Sequence, residues 1–338
     1  MNKHNVCTAI TAAAGLLVLI LDGKTALAGA AEGISICLNV LIPSLFPFFL
    51  LSMLLTGALS GQSITFLRPA AKLCRIPEGT ESLLAIGLLG GYPVGAQNVA
   101  MMHRAGQLSD GQAARMITFC NNAGPAFIFG ILGNMFSTAA APWLLWAIHL
   151  ISALITGALM PARQGEKAVR PSASRLRLTD VLPQAVHVMG LVCGWVVLMR
   201  MVLTFLQRWF LWLLPLPVQI ALSGILELSN GCIQLSEISH EGLRFIIASA
   251  LLALGGICIT LQTASVTQGI SMRLYFPGKL LQSATSVLLA GAVQLTFPAS
   301  MRCNCIPILP ICAVLALGCI LTLQYSKKSS GIPAIIGV

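Results

Sequence analysis

Long stretches of this sequence contain no Asp, Glu, Lys or Arg: residues 33–67, 116–162, 181–199, 209–226, 245–272, 280–301 and 303–326. A hydrocarbon core about 30 Å thick needs about 20 apolar helical residues, and most of these windows reach that length. Lipid offers no partners to open backbone groups, so each window is expected to be helical. The resulting fold class is all-α, a polytopic membrane helical bundle. Charged residues are only 9% of the chain and hydrophobic ones 57%, too few charges to cover a globular surface of this size. A secreted domain, a nucleic-acid binder and a cytosolic enzyme are excluded. The lipid bilayer is the first expected partner.

The net charge of +10 is explained by topology rather than by an acidic ligand. Basic residues cluster at Arg68, Lys72 and Arg75, in the loop carrying Arg163, Lys167, Arg170, Arg175 and Arg177, and at Lys327 and Lys328. Such clusters mark the cytoplasmic segments of a multi-pass membrane protein. The 11 cysteines form no CxxC pair and lie mostly inside apolar runs, where a free thiol behaves as a small hydrophobe. No metal or cofactor is expected from them. At the N-terminus, Lys3, the run Val6–Leu21 and Ala26-Leu27-Ala28 imitate a signal peptide. A retained first membrane helix over residues 1–30 is the preferred reading, with Asp22, Lys24 and Glu32 interrupting the chain beyond the apolar run.

The segment from Ser82 to Leu89 gives only about 12 Å of helix before Gly90, Gly91 and Pro93 break it. Backbone freed at membrane depth survives only if buried in protein or lining a wet cavity. Residues 85–97, AIGLLGGYPVGAQ, align with residues 250–262, ALLALGGICITLQ, so that Gly90-Gly91 falls on Gly255-Gly256 and Gln97 on Gln262. The expectation is two internally repeated, Gly-Gly-interrupted, re-entrant-like helical hairpins. Paired interrupted segments of this kind point to a transporter binding site. If residues 209–236 do not cross the membrane, the two halves are inverted.

A second polar cluster lies inside the window 116–162, where Asn121 and Asn122 precede Gly124-Pro125. Asparagine side chains offer donors and acceptors to a solute, or to neighbouring helices as glue. Among intramembrane charges, Glu227 has Asn230 one turn away and is a candidate to bind a coupling cation, carry a proton or pair with Arg200, which otherwise reads as a snorkelling residue near its helix end. His149 and His187 read as polar atoms within packed helices. The expected substrate-binding residues are Tyr92, Gln97, Asn98, Asn121, Asn122, Gln262 and Glu227. The expected helix-break residues are Gly90, Gly91, Pro93, Gly95, Gly124, Pro125, Gly255 and Gly256. No GxSxG, HExxH or phosphate-cradling GxxxxGK motif is present, and no catalytic residue is assigned.

The segments LNVLIPSLFPFFLLSMLL (38–55), GGYPVGAQ (90–97), FCNNAGPAFIFGILG (119–133), GILELSNG (224–231) and the glycine pair at 255–256 with Gln262 resemble YlbJ-type sporulation integral membrane proteins. That family is similar in turn to the wider nucleoside-recognition, or Gate-domain, group. The resemblance spans roughly residues 30–325. It implies a first Gate-like membrane repeat at 31–160, a basic cytoplasmic loop at 161–178, a second repeat at 179–326 and a short tail at 327–338. It also implies a basic residue after GYPxGA, where this chain has Gln97. If that basic residue neutralises an anion in the relatives, the solute here differs. The resemblance further implies a multi-pass protein of the inner (cytoplasmic) membrane. The function expected is permease-like binding or movement of a small polar solute or ion during spore formation, with a second copy of the chain as a candidate partner. The rival expectation is a non-transporting scaffold for spore envelope assembly.

Overall fold

The computed structural model describes residues 3–59, 64–161 and 177–296. The expected apolar helix near 306–325, the basic tail, Cys303 and Cys305, and nearly all of the loop 161–178 lie outside the described residues. Among the described residues every regular element is helical.

Helix α1 covers Lys3–Leu21 and α2 covers Gly23–Ile36; a π-helical turn at Cys37–Leu41 joins α2 to α3, Ile42–Leu59. Short α4 (Arg68–Leu73) leads to α5 (Ser82–Leu89), α6 (Val94–Arg104) and α7 (Asp110–Met116). One turn, α8 (Pro125–Phe127), runs into a π-helical turn at Ile128–Leu132, and α9 spans Ala140–Leu159. Then come α10 (Leu178–Trp209), α11 (Leu216–Leu226), α12 (Leu228–Gln234), α13 (Glu241–Leu254), α14 (Gly256–Val266) and α15 (Tyr275–Thr296). Among the described residues four stretches are long and apolar enough to cross a bilayer: Gly23–Leu59, Ala140–Leu159, Leu178–Trp209 and Glu241–Val266.

The first of these is longer than the sequence suggests, because Glu32 does not end it. Helix α10 packs antiparallel along α2 and supplies the compensation. The Arg200 guanidinium donates to the Glu32 carboxylate, and Arg208 Nε lies 3.3 Å from Asp22. Gly29 and Gly33 face the backbone of α10 at Met201 and Val197, so small residues let the two helices approach while the charges pair beside them.

Two segments fold back inside the bundle. A Cβ placed on Gly87 or on Gly95 would collide with the same atom, the Cys120 carbonyl oxygen. In a continuous helix residues eight apart are about 12 Å apart, so α5 and α6 form a hairpin with the Cys120 carbonyl wedged into its waist. The second reversal is at Glu227. A Cβ on Gly231 would overlap Gly224 Cα, although a straight helix would hold these residues about 10 Å apart. The region 209–236 therefore holds a doubled-back pair, α11 and α12, where one helix is expected from hydropathy.

The glycine pair at 255–256 behaves differently from the pair at 90–91. Both Gly255 (φ 72°) and Gly256 (φ 80°) take left-handed backbone, which ends α13. The chain then does not fold back along α13; α14 packs against α10, α11 and α6. Helix α15 returns antiparallel to α13, with the Ser249 and Ser286 hydroxyls 2.8 Å apart and Ser283 donating to the Ala250 carbonyl at 3.0 Å. The long apolar segment expected over 117–133 is also interrupted. It leaves helical geometry between Ile117 and Gly124, and Pro125 then starts α8.

Candidate functional site

Four helix interruptions meet in the middle of the bundle. They lie at Gly90–Pro93, Asn121–Gly124, Glu227 and Gly255-Gly256. Tyr92 ties two of them, donating its hydroxyl to the Leu252 carbonyl at 3.0 Å, and its ring is the nearest neighbour of Gly255. Next to the ring is a cavity of about 30 Å³. Gly91 and Tyr92 line it from the first interruption, Ala123 and Gly124 from the second, and Glu227 and Ser229 from the third. Ile259 and Gln262, just past the fourth, complete the polar side, while Leu41, Leu45, Val192 and Val196 close the apolar side.

Glu227 is 1% exposed and caps α12, accepting from the Ser229 amide at 3.1 Å and the Asn230 amide at 2.8 Å. The Asn230 side chain donates to the same carboxylate at 2.9 Å. Its own oxygen accepts from Arg200 at 2.8 Å, and Arg200 pairs with Glu32. The polar chain thus runs Glu227, Asn230, Arg200, Glu32, from the cavity to the surface of α2. Arg200 reaches Glu227 through Asn230 rather than by direct contact. Gln262 is 2% exposed; its amide nitrogen donates to Cys258 Sγ at 3.2 Å and its Oε1 has no partner.

At the Tyr92 hydroxyl is a second polar knot, centred on Lys279. This lysine is 1% exposed. Its ammonium donates to the Asn121 carbonyl, to Gln282 Oε1 at 2.9 Å and to the Tyr92 hydroxyl at 3.3 Å. Gln282 passes the connection to Asn122 Oδ1 at 2.8 Å, and Asn122 donates to the carbonyls of Gly87 and Phe119. Asn121 donates to Thr263 Oγ1 at 2.9 Å and to the Tyr275 hydroxyl at 3.0 Å. Both asparagines are fully buried and bonded to protein in this conformation. His149 Nε2 accepts from the Ala123 amide at 3.0 Å, a packed-helix role.

Of the residues expected to form a site, Tyr92, Gln262 and Glu227 line one cavity, and Asn121 and Asn122 lie behind Tyr92 in the Lys279 network. Gln97 is elsewhere. With Arg104, Gln184, His187, Ser265 and Gln268 it lines a larger recess of about 490 Å³ between α6, α10 and α14. Asn98 donates to the Val94 carbonyl of its own helix at 2.8 Å and borders neither cavity. Lys279 does not stand out in the sequence, because it sits at the edge of a charge-free window rather than inside one. A signal is present one step further: Lys279, Gln282, Ser283 and Ser286 recur at the spacing of one helix face.

Arg115 is a second buried cation that hydropathy does not single out, and its surroundings differ. It donates to the carbonyls of Cys74 (2.7 Å), Met160 (3.1 Å) and Gly157. The last two belong to the C-terminal end of α9, so Arg115 serves as a cap for that helix. Among the described residues no three His, Cys, Asp or Glu side chains gather in a metal-binding group.

The chain is 28% identical, over 335 residues, to the sporulation integral membrane protein YlbJ of Bacillus subtilis (strain 168), covering 83% of this chain and 81% of that protein. No family model matches the chain, and no solved structure matches it.

Proposed function

We propose, from the premise that this is a YlbJ-type sporulation membrane protein, that it binds a small polar solute at the Tyr92–Gln262–Glu227 cavity and carries it across the membrane. The observation that supports this reading is the convergence of three helix interruptions, and of the helix that follows the fourth, on one cavity. Packing alone does not require it, since each interruption exposes backbone that a continuous helix would satisfy. In transporters, broken helices meeting at mid-bundle supply half-helix termini and freed polar groups to a solute.

The two cavities also stand in sequence. The recess borders Val188 and Leu191 on α10 and Ser265 and Val266 on α14; the closed cavity borders Val192 and Val196, and Ile259 and Gln262, on the same helices. About one helical turn separates them. The recess lies at the N-terminal end of α10, next to the basic loop, and the positive-inside rule makes that the cytoplasmic side. At about 30 Å³ the cavity is too small for a nucleoside or an amino acid, so solute binding requires a hairpin tip to move, and α5–α6 and α11–α12 are the short elements able to do so.

The test is a thermal-stability screen of the purified full chain against nucleosides, amino acids and small ions, followed by uptake into proteoliposomes. A ligand should raise the melting temperature and be taken up, and Gln262→Ala should lose both with unchanged membrane abundance. A chain that binds no solute, and whose spore phenotype survives Gln262→Ala, would instead be a scaffold.

A further inference from the structure

We infer that the Glu227 cavity is a binding site for one partly dehydrated monovalent cation of sodium size. This rests on the reading of the same cavity as the centre of a solute carrier, and names the ion that accompanies the solute.

Three observations carry it. The first is a local charge count. Glu227, Asn230, Arg200 and Glu32 form one connected chain holding two carboxylates and one guanidinium. Arg200 is engaged with Glu32, which leaves the Glu227 charge without an ion-pair partner of its own. The other buried cation nearby, Lys279, does not line the cavity, and its donors are directed at Asn121, Gln282 and the Tyr92 hydroxyl. An uncompensated charge inside a bilayer is costly, which favours a counter-ion beside it.

The second is the set of oxygens facing the cavity. Gln262 Oε1 is a buried acceptor without a partner, on a side chain that lines it. Glu227 accepts three N–H donors and is also hydrogen-bonded by the Ser229 hydroxyl, which lines the cavity. Every group bonded to it is a donor, so the carboxylate stands at the cavity as an acceptor. Carboxylate, amide and hydroxyl oxygens are hard ligands suited to an alkali cation.

The third is size. A cavity of about 30 Å³ has room for one or two water-sized groups, since one water needs about 10–15 Å³ of such space. That excludes organic cations. Magnesium usually keeps several waters and calcium takes about six to eight oxygens, which the cavity cannot supply.

The experiment compares thermal unfolding of the purified full chain in sodium chloride, potassium chloride and choline chloride at equal ionic strength. Choline is too large for the cavity and serves as the inert cation. Sodium should raise the melting temperature saturably over choline. Gln262→Leu should raise the half-saturating sodium concentration by roughly tenfold or more, the change expected for one lost ligand contact. Glu227→Gln should abolish the sodium response. If that variant does not fold, Ser229→Ala and Gln262→Leu together replace it. Equal melting in sodium and choline, a sodium effect unchanged in Gln262→Leu, or a response to pH alone would overturn the inference. Solute binding that persists in choline would do so too, while leaving the solute site itself standing.

Discussion

The Tyr92 hydroxyl donates to the Leu252 carbonyl at 3.0 Å, joining the turn of the α5–α6 hairpin to the last turn of α13. The same oxygen accepts a hydrogen bond from Lys279. One hydroxyl therefore couples two interrupted helices to α15, and the residue that carries it borders the cavity and bonds to the lysine network.

Tyr92→Phe keeps the ring and removes the coupling. The Leu252 carbonyl and the Lys279 ammonium each lose a partner, and leaving buried polar groups unpaired costs about 1–3 kcal/mol each. The variant should remain in the membrane, melt several degrees lower and lose ligand stabilisation. Melting curves with and without ligand check this.

Lys279→Met separates a structural lysine from a functional one. A charge retained only for packing can be replaced by a hydrophobe of similar length with little cost or a gain. If Lys279 organises the polar centre, the Asn121 carbonyl and Gln282 Oε1 are left unpaired, and solute uptake falls even where the protein is abundant. Uptake normalised to membrane content distinguishes the two.

Gly95→Ala tests the hairpin waist. The added methyl has no room beside the Cys120 carbonyl, a backbone atom that a rotamer change cannot move. Destabilisation of about 1–3 kcal/mol or more is expected, with loss of monodisperse protein. Gly130→Ala, with nothing within 4 Å of the new carbon, is the matched control and should be nearly silent. Size-exclusion profiles of the two variants give the answer.

Arg200→Met should be tolerated poorly alone and better with Glu32→Gln, because the single change leaves a carboxylate unpaired beside α10. A double-mutant cycle on melting should give a coupling of about 0.5–3 kcal/mol. Repeating it with Asn230→Ala in place of Glu32→Gln measures how far the coupling extends toward Glu227.

Much of this architecture is legible in the chain itself. Charge-free windows mark the spans, GGYP marks the first turn, and Asn121-Asn122 beside Gly124-Pro125 marks an interruption. The Glu227 reversal is not legible, because LELSN contains neither Gly nor Pro and satisfies helical hydropathy on both sides. Its cause is tertiary: Gly224 meets Gly231 only once the chain has turned, and the carboxylate caps the second helix of the pair. The alignment of Gln97 with Gln262 is sound as a string comparison but not as geometry. Helix α6 follows a reversal and α14 follows a bend, so the two amides face different spaces.

The two cavities along α10 and α14 also have an electrical consequence. Water in the larger recess would carry the potential of the cytoplasm nearly to the Tyr92 ring. The transmembrane voltage would then fall between that recess and the opposite face, a shorter path than the full hydrocarbon thickness and one that includes the turn between the cavities. A cation stepping past Gln262 would do the share of the ~2.3 kcal/mol per 100 mV that falls across that step. Voltage, acting over that short step, would bias which way the cavity faces.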